Sequence, residues 1–185
     1  MSTYDATPDL VVPDADPVTD LDRLAEVADL DLFSAEARTK LDEFAARAAA
    51  RFDLPIGLVS IVLDSSQYLA GRHGVDGWID DAEGTPVEWS FCATTVRTRK
   101  QYVVTDAASD EVQQHNPLVT QDGIASYAGT PMVTSRGHVL GSYCVIGATA
   151  RDFSADELAE LQRMADEVVA EIEARRLSTR AVPTA

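Results

Sequence analysis

Ser126 to Ala148 reads SYAGTPMVTSRGHVLGSYCVIGA, and this stretch decides the fold. Its pattern predicts two strands, Tyr127 to Val133 and Val139 to Ile146. Ser135, Arg136 and Gly137 form the turn between them, where glycine takes a positive φ at little cost. In the second strand Val139, Gly141, Tyr143 and Val145 share one face by strict alternation. Leu140, Ser142, Cys144 and Ile146 share the other. Gly129 and Gly141 leave room for something to come close to the sheet, and Pro131 predicts an interruption or an edge in the first strand. The hairpin reads either as the centre of a core sheet or, on the face carrying Tyr127 and Cys144, as the floor of a small-molecule pocket.

Outward from the hairpin, Ile56 to Leu63 is a compact apolar run with the length and β-branched content of a buried central strand. Gln67 to Arg72 returns after a turn at Asp64-Ser65-Ser66, and Tyr102 to Thr105 is a further short strand. Helical spacing starts near Thr19 or Asp20, with Leu21, Leu24, Val27 and Leu30 on one stripe. Ser34 caps a longer helix to Phe52, and Ser90 caps a short one from Phe91 to Thr98. Ser154 and Glu157 make a capping box that opens a last helix to about Arg176. Gly74 to Pro86 reads as a loop bracketed by Trp78 and Trp89. Asp106 to Gly123 reads as irregular, with a helical turn at Ser109 to Val112. The sum is an α+β fold: a central antiparallel sheet of five or six strands with helices at both ends of the chain. Residues 1–18 read as a flexible acidic tail, 19–177 as one domain and 178–185 as a second tail.

A formal charge of −16 argues against binding nucleic acid or an anionic membrane. No apolar run is long enough to span a bilayer and no signal peptide opens the chain, so the expected location is cytoplasmic. Cys92 and Cys144 lack metal-ligand spacing and read as free thiols in a reducing compartment. Cys92 follows a helix cap, where a thiol is acidified, so it reads as either a reactive thiol or a small buried hydrophobe. Of His73, His115 and His138, His115 is the strongest ligand-contact candidate. No GxSxG, Walker or HExxH motif is present, and no catalytic or metal-binding residue is expected.

The runs PIGLVSIVLDSSQYLAG, WSFCATTV, YVVTDAASD, NPLVTQDGIASYAGTPMVTSRGHVLGSYCVIG and RDFSADELAELQRMA, in that order, resemble a GAF domain of the type found ahead of bacterial histidine kinases and diguanylate cyclases. The resemblance covers Leu24 to Arg176. It implies terminal helices on one face of the sheet and, on the other, a pocket covered by Phe91 to Thr98 and Asp106 to Ile124. Phe91, Cys92, Val96, His115, Tyr127 and Cys144 would line it and take a small, largely uncharged ligand. The family also implies a sensory role in a bacterial cytoplasm, signalling through the terminal helices to a dimer mate or a protein in trans. Two alternatives stay open: a thiol-dependent reductase of the free methionine-R-sulfoxide kind, and an interaction module without a ligand. The reductase would want a further cysteine between Asp106 and Ile124, which is lacking. The NKFDE-type signature of cyclic-nucleotide binders is absent. So is the Cys-His pair of bilin binders, since Ala93 follows Cys92. For a haem, His115 is the one plausible axial ligand. The cofactor is left unassigned.

Overall fold

The computed structural model describes residues 15–180, the last four as backbone only. β1 (Ile56–Val62) and β6 (Val139–Gly147) pair at the centre of a six-stranded sheet. With β2 (Ser66–His73), β3 (Gly84–Pro86), β4 (Tyr102–Val104) and β5 (Ser126–Val133), the order is β3-β2-β1-β6-β5-β4. Every neighbouring pair is antiparallel. α2 (Ala35–Phe52) and α6 (Ala155–Arg180) cover one face. α3 (Gly77–Ala82), α4 (Phe91–Thr98) and α5 (Pro117–Thr120) lie over the other, and α1 (Leu21–Asp29) leads in. The fold is therefore the α+β arrangement expected, with all six strands formed.

The central strands are buried on both faces, and alternation sends their side chains to two separate cores. Val59, Ile61, Tyr143 and Val145 meet α2 and α6, whereas Leu58, Val62, Cys144 and Ile146 meet the cover. Strict alternation along the second hairpin strand fails at its start. Leu140 packs on the helix side with Tyr143, and Val139 packs on the cover side with Cys144. The cause is a β-bulge. Pro131 pairs with Ser142 but Val133 pairs with Val139, so Leu140 and Gly141 together oppose Met132. Pro131 thus marks a register shift inside a continuous strand, not an edge. Gly137 takes φ 84° in the turn, as expected.

The helix caps follow the sequence closely. Asp20, Ser34 and Ser90 each accept a backbone N–H from the first turn of their helices, at 2.7, 3.1 and 3.1 Å. Ser154 Oγ accepts from the Glu157 N–H at 3.2 Å while Glu157 accepts from the Ser154 N–H at 2.9 Å, completing the capping box. Four expectations change. Gly74 to Pro86 is not a plain loop: it contains α3 and the edge strand β3. The helical turn expected at Ser109 to Val112 closes one residue later, by the Gln114 N–H on the Asp110 carbonyl at 3.0 Å, and a second, α5, follows it, capped by Asn116. The last helix runs to Arg180, not Arg176. The tail expected over 1–18 ends sooner, since Pro17–Thr19 forms a 3-10 turn that buries Val18 to 1% exposure. Residues 1–14 and 181–185 lie outside the described residues.

α1 departs from its predicted stripe as well. Leu21 stands 80% exposed, and the buried face holds Arg23 and Glu26 beside Val27. Arg23 donates to the carbonyls of Pro17 at 3.0 Å, Val18 at 2.6 Å and Val62 at 2.8 Å, fastening the entering chain to the end of β1. Glu26 joins α1 to two distant elements. Arg136 in the hairpin turn pairs with it at 2.9 Å, and Arg176 near the end of α6 pairs with it at 2.5 Å. Burial opposes ionisation of Glu26, but hydrogen bonds and charge from Arg176 and Arg136 outweigh it and hold the carboxyl below its ordinary 4.5.

Two tests of this architecture follow. A methyl at Gly57 would sit 2.1 Å from the Ala45 carbonyl oxygen of α2, backbone that cannot swing away. Gly57→Ala should cost about 3 kcal/mol, read from the urea midpoint. Glu26→Gln leaves Arg176 buried without its carboxylate and should cost about 3 kcal/mol at pH 7. The folded carboxyl is the more acidic one, so its stabilisation is complete above pH 4.5 and fades as the pH falls through the folded value. Urea titrations should therefore show the gap between wild type and variant closing in acid.

Candidate functional site

The cover face divides into a packed half and a hollow half. In the packed half, α4 lies on β5 and β6. Phe91, Cys92, Val96, Tyr127 and Cys144 are all buried there in one cluster. The rings of Phe91 and Tyr127 are 5.1 Å apart, and those of Tyr102 and Tyr127 are 5.9 Å apart. Gly129 has a local reason: a methyl there would fall 2.1 Å from the Tyr127 hydroxyl and 2.6 Å from Ser142 Oγ. At Gly141 the close neighbour is the Ser60 carbonyl of β1, so neither glycine opens space for a ligand.

The hollow half lies beyond it, over β1 and β2. A cavity of about 130 Å³ is bounded below by Ile56, Leu58, Gln67, Leu69 and Ile146. Its roof comes from Val75, Asp76 and Ile79 on one side and Leu118, Asp122 and Ile124 on the other. The walls are chiefly apolar, with one amide and two carboxylates as polar groups and no Lys, Arg or His. None of the six residues expected to line a pocket lines this one. Five belong to the packed half, and His115 is exposed on an outer groove with Trp89, Arg97 and Val112.

The roof is bridged between its two segments. The Trp78 indole N–H donates to Asp122 Oδ1 at 2.8 Å, joining α3 to the turn after α5. Trp78 also meets Trp89 edge-on at 6.0 Å, and Asn116 donates to the Trp89 carbonyl at 2.9 Å. Gly74 and Gly77, at φ 74° and 60°, flank the start of α3. The sequence reading had half of this roof, since Leu118, Asp122 and Ile124 fall in the predicted cover. The other half, Gly74 to Ala82, falls in the stretch whose sequence reads as a loop. The sequence carries one signal for it: Val75 and Ile79 are apolar at a spacing of four.

Two buried thiols form the other chemical feature of the face. Cys92 Sγ lies 3.8 Å from Cys144 Sγ, and the Tyr127 hydroxyl donates to Cys92 Sγ at 3.3 Å. Tyr127 Oη and Ser142 Oγ are 3.2 Å apart. Among the described residues, no three of His, Cys, Asp and Glu converge in a way that could hold a metal ion.

A six-stranded antiparallel sheet with helices behind and a roofed cavity in front defines an α+β class of domain. The model of the GAF domain family matches residues 35–173, and the chain belongs to that family. The chain is 33% identical over 162 residues to a cyclic di-GMP phosphodiesterase of Pseudomonas aeruginosa. That match takes in 86% of this chain but only 27% of the relative, so the likeness covers about a quarter of the longer enzyme. The GAF domain of a phosphoenolpyruvate-protein phosphotransferase from Coxiella burnetii superposes with a TM-score of 0.64 at 15% identity, covering 86% of this chain and 96% of that one. A type II free methionine-R-sulfoxide reductase from Thermoplasma acidophilum gives 0.60 at 14% identity, covering 75% and 93%. At such identities the two structures speak for the fold. Among the described residues no helix is long and apolar enough to cross a membrane.

Removing the roof bridge should be measurable. Trp78→Phe keeps the ring but loses the N–H, a hydrogen bond worth on the order of 1 kcal/mol at a half-exposed site. Amide hydrogen exchange over residues 117–124 should quicken about fivefold. Exchange in α2 should stay unchanged.

Proposed function

We propose that this chain is a regulatory GAF module that binds a small organic molecule in the cavity under α3 and α5. The bridged roof over an apolar hollow is the observation that carries the reading. A ligand there would order the two roof segments against each other. Its effect would reach α2 and α6 through β1, which faces the cavity with Leu58 and the helices with Val59. The ligand is neutral or cationic, because Asp76 and Asp122 line the cavity without a basic partner. A polyanion such as a dinucleotide would bring phosphate charge against those carboxylates. The module then signals to a second copy or to another protein through its terminal helices, in a bacterial cytoplasm.

The reductase alternative finds less support. The cavity touches neither thiol, and both cysteines are sealed under α4. The likeness to a methionine sulfoxide reductase is one of fold.

Native mass spectrometry of protein purified from its host tests the reading. The expected result is a bound mass of a few hundred daltons at most, released on denaturation. Ile79→Trp, which fills the cavity from its roof, should lose that mass while keeping its folded spectrum. Persistent absence of any bound mass would favour the interaction module. If calorimetry found a polyphosphate to be the tightest ligand, the charge argument would be wrong.

A further inference from the structure

Cys92 and Cys144 are held close by α4 and β6, which pack against each other. Cys92 sits in the first turn of α4, which Ser90 caps. Cys144 sits mid-strand in β6, opposite Leu58 of β1 and Gly129 of β5. Their sulfurs are 3.8 Å apart, so a bond of about 2.05 Å needs a closing movement of about 1.8 Å. Structural cysteines normally sit among apolar atoms. These two share their site with hydroxyls: Tyr127 donates to Cys92, and Ser142 stands against Tyr127. Ser60 Oγ, which neighbours Cys92, is fully buried and makes no hydrogen bond. A buried hydroxyl without a partner costs about 1–3 kcal/mol, and beside a thiol it is a donor in reserve for a thiolate.

We propose that Cys92 and Cys144 are an oxidisable dithiol that a small hydroperoxide closes to an intramolecular disulfide. The Cys92 thiolate attacks the terminal peroxide oxygen. The O–O bond breaks, the remaining fragment leaves with a proton as water or an alcohol, and Cys92 becomes a sulfenic acid. Cys144 then attacks the Cys92 sulfur. The S–S bond forms, the S–OH bond breaks, and the hydroxide takes the Cys144 proton and leaves as water. Two thiols have lost two electrons, and one hydroperoxide has gained them.

The order of attack follows from the surroundings. Burial opposes ionisation of Cys92, but hydrogen bonding from Cys144 and Tyr127, with the Ser60 and Ser142 hydroxyls close by, outweighs it and holds the thiol below its ordinary 9.0. The helix N-terminus acts in the same direction. Burial pushes Cys144 well above its ordinary 9.0. With exposures of 1% and 0%, the pair admits small oxidants slowly and shields the disulfide from bulky thiols. This device stands apart from the cavity and does not depend on a ligand being found there.

The experiment uses the full chain, reduced, then treated with hydrogen peroxide in native buffer and blocked with N-ethylmaleimide in denaturant. The expected product is lighter by about 2 Da, carries no maleimide and gives one cross-linked peptide joining Cys92 to Cys144. It runs as a monomer without reductant. Two maleimide adducts after prolonged treatment, sulfinate or sulfonate masses, or a bond between chains would overturn the proposal. Cys144→Ser, treated with peroxide and then unfolded in denaturant containing dimedone, should carry a dimedone-trapped sulfenic acid on Cys92, whereas Cys92→Ser should react with peroxide at least tenfold more slowly. The reverse pattern overturns the order of attack. Should either variant fail to fold, the Cβ carbon shifts of wild type before and after peroxide report the same bond. Unchanged shifts sink the idea.

Discussion

The pairing of β1 with β6 is the constraint on which the rest of the structure depends. Residues eighty to ninety positions apart lie side by side, Ile56 opposite Ile146 and Ile61 opposite Gly141. Both strands are buried on both faces, so each face must be covered by something apolar. α2 and α6 cover one face in a dense layer, reaching within a methyl's width of β1 at Gly57. On the other face the covering pieces are short. α4 seals its half completely, while α3 and α5 span theirs as a roof and leave the cavity beneath. The hollow is thus a consequence of covering a broad twisted face with short elements.

Charge is used in the interior to join parts that packing alone would leave independent. Arg23 satisfies carbonyls from the entering segment and from β1 with one guanidinium. Glu26 holds the hairpin turn and the far end of α6 together. Such groups are costly to bury and costly to break, which makes their geometry specific. The junction lies near the C-terminal end of α6. It makes α1 an integral part of the domain.

The two chemical features of the cover face are kept separate by the same division. The thiols sit where side chains interdigitate and water is excluded, and their neighbours are hydroxyls from β1, β5 and β6. The cavity sits where apolar walls meet two carboxylates. Ser90 connects them. It caps α4 and also donates to Gln67 Oε1 on the cavity wall.

Most of the fold was legible in the chain itself. The Ser34, Ser90 and Ser154 caps, the apolar run from Ile56 and the hairpin from Ser126 to Gly147 are local signals. Period and capping chemistry depend only on near neighbours. The bulge at Leu140 and Gly141 was not legible, because register is settled between strands. Nor were the buried Arg23 and Glu26, whose partners lie as far off as Arg176. Alternation put Tyr127 and Cys144 on one face of the hairpin, and the family resemblance laid Phe91 and Cys92 over it. Only the tertiary structure decided that they pack solid while the space opens over Leu58 and Leu69. Whether a gap remains between layers depends on how long each covering element is and where it lands, and no single segment carries that information.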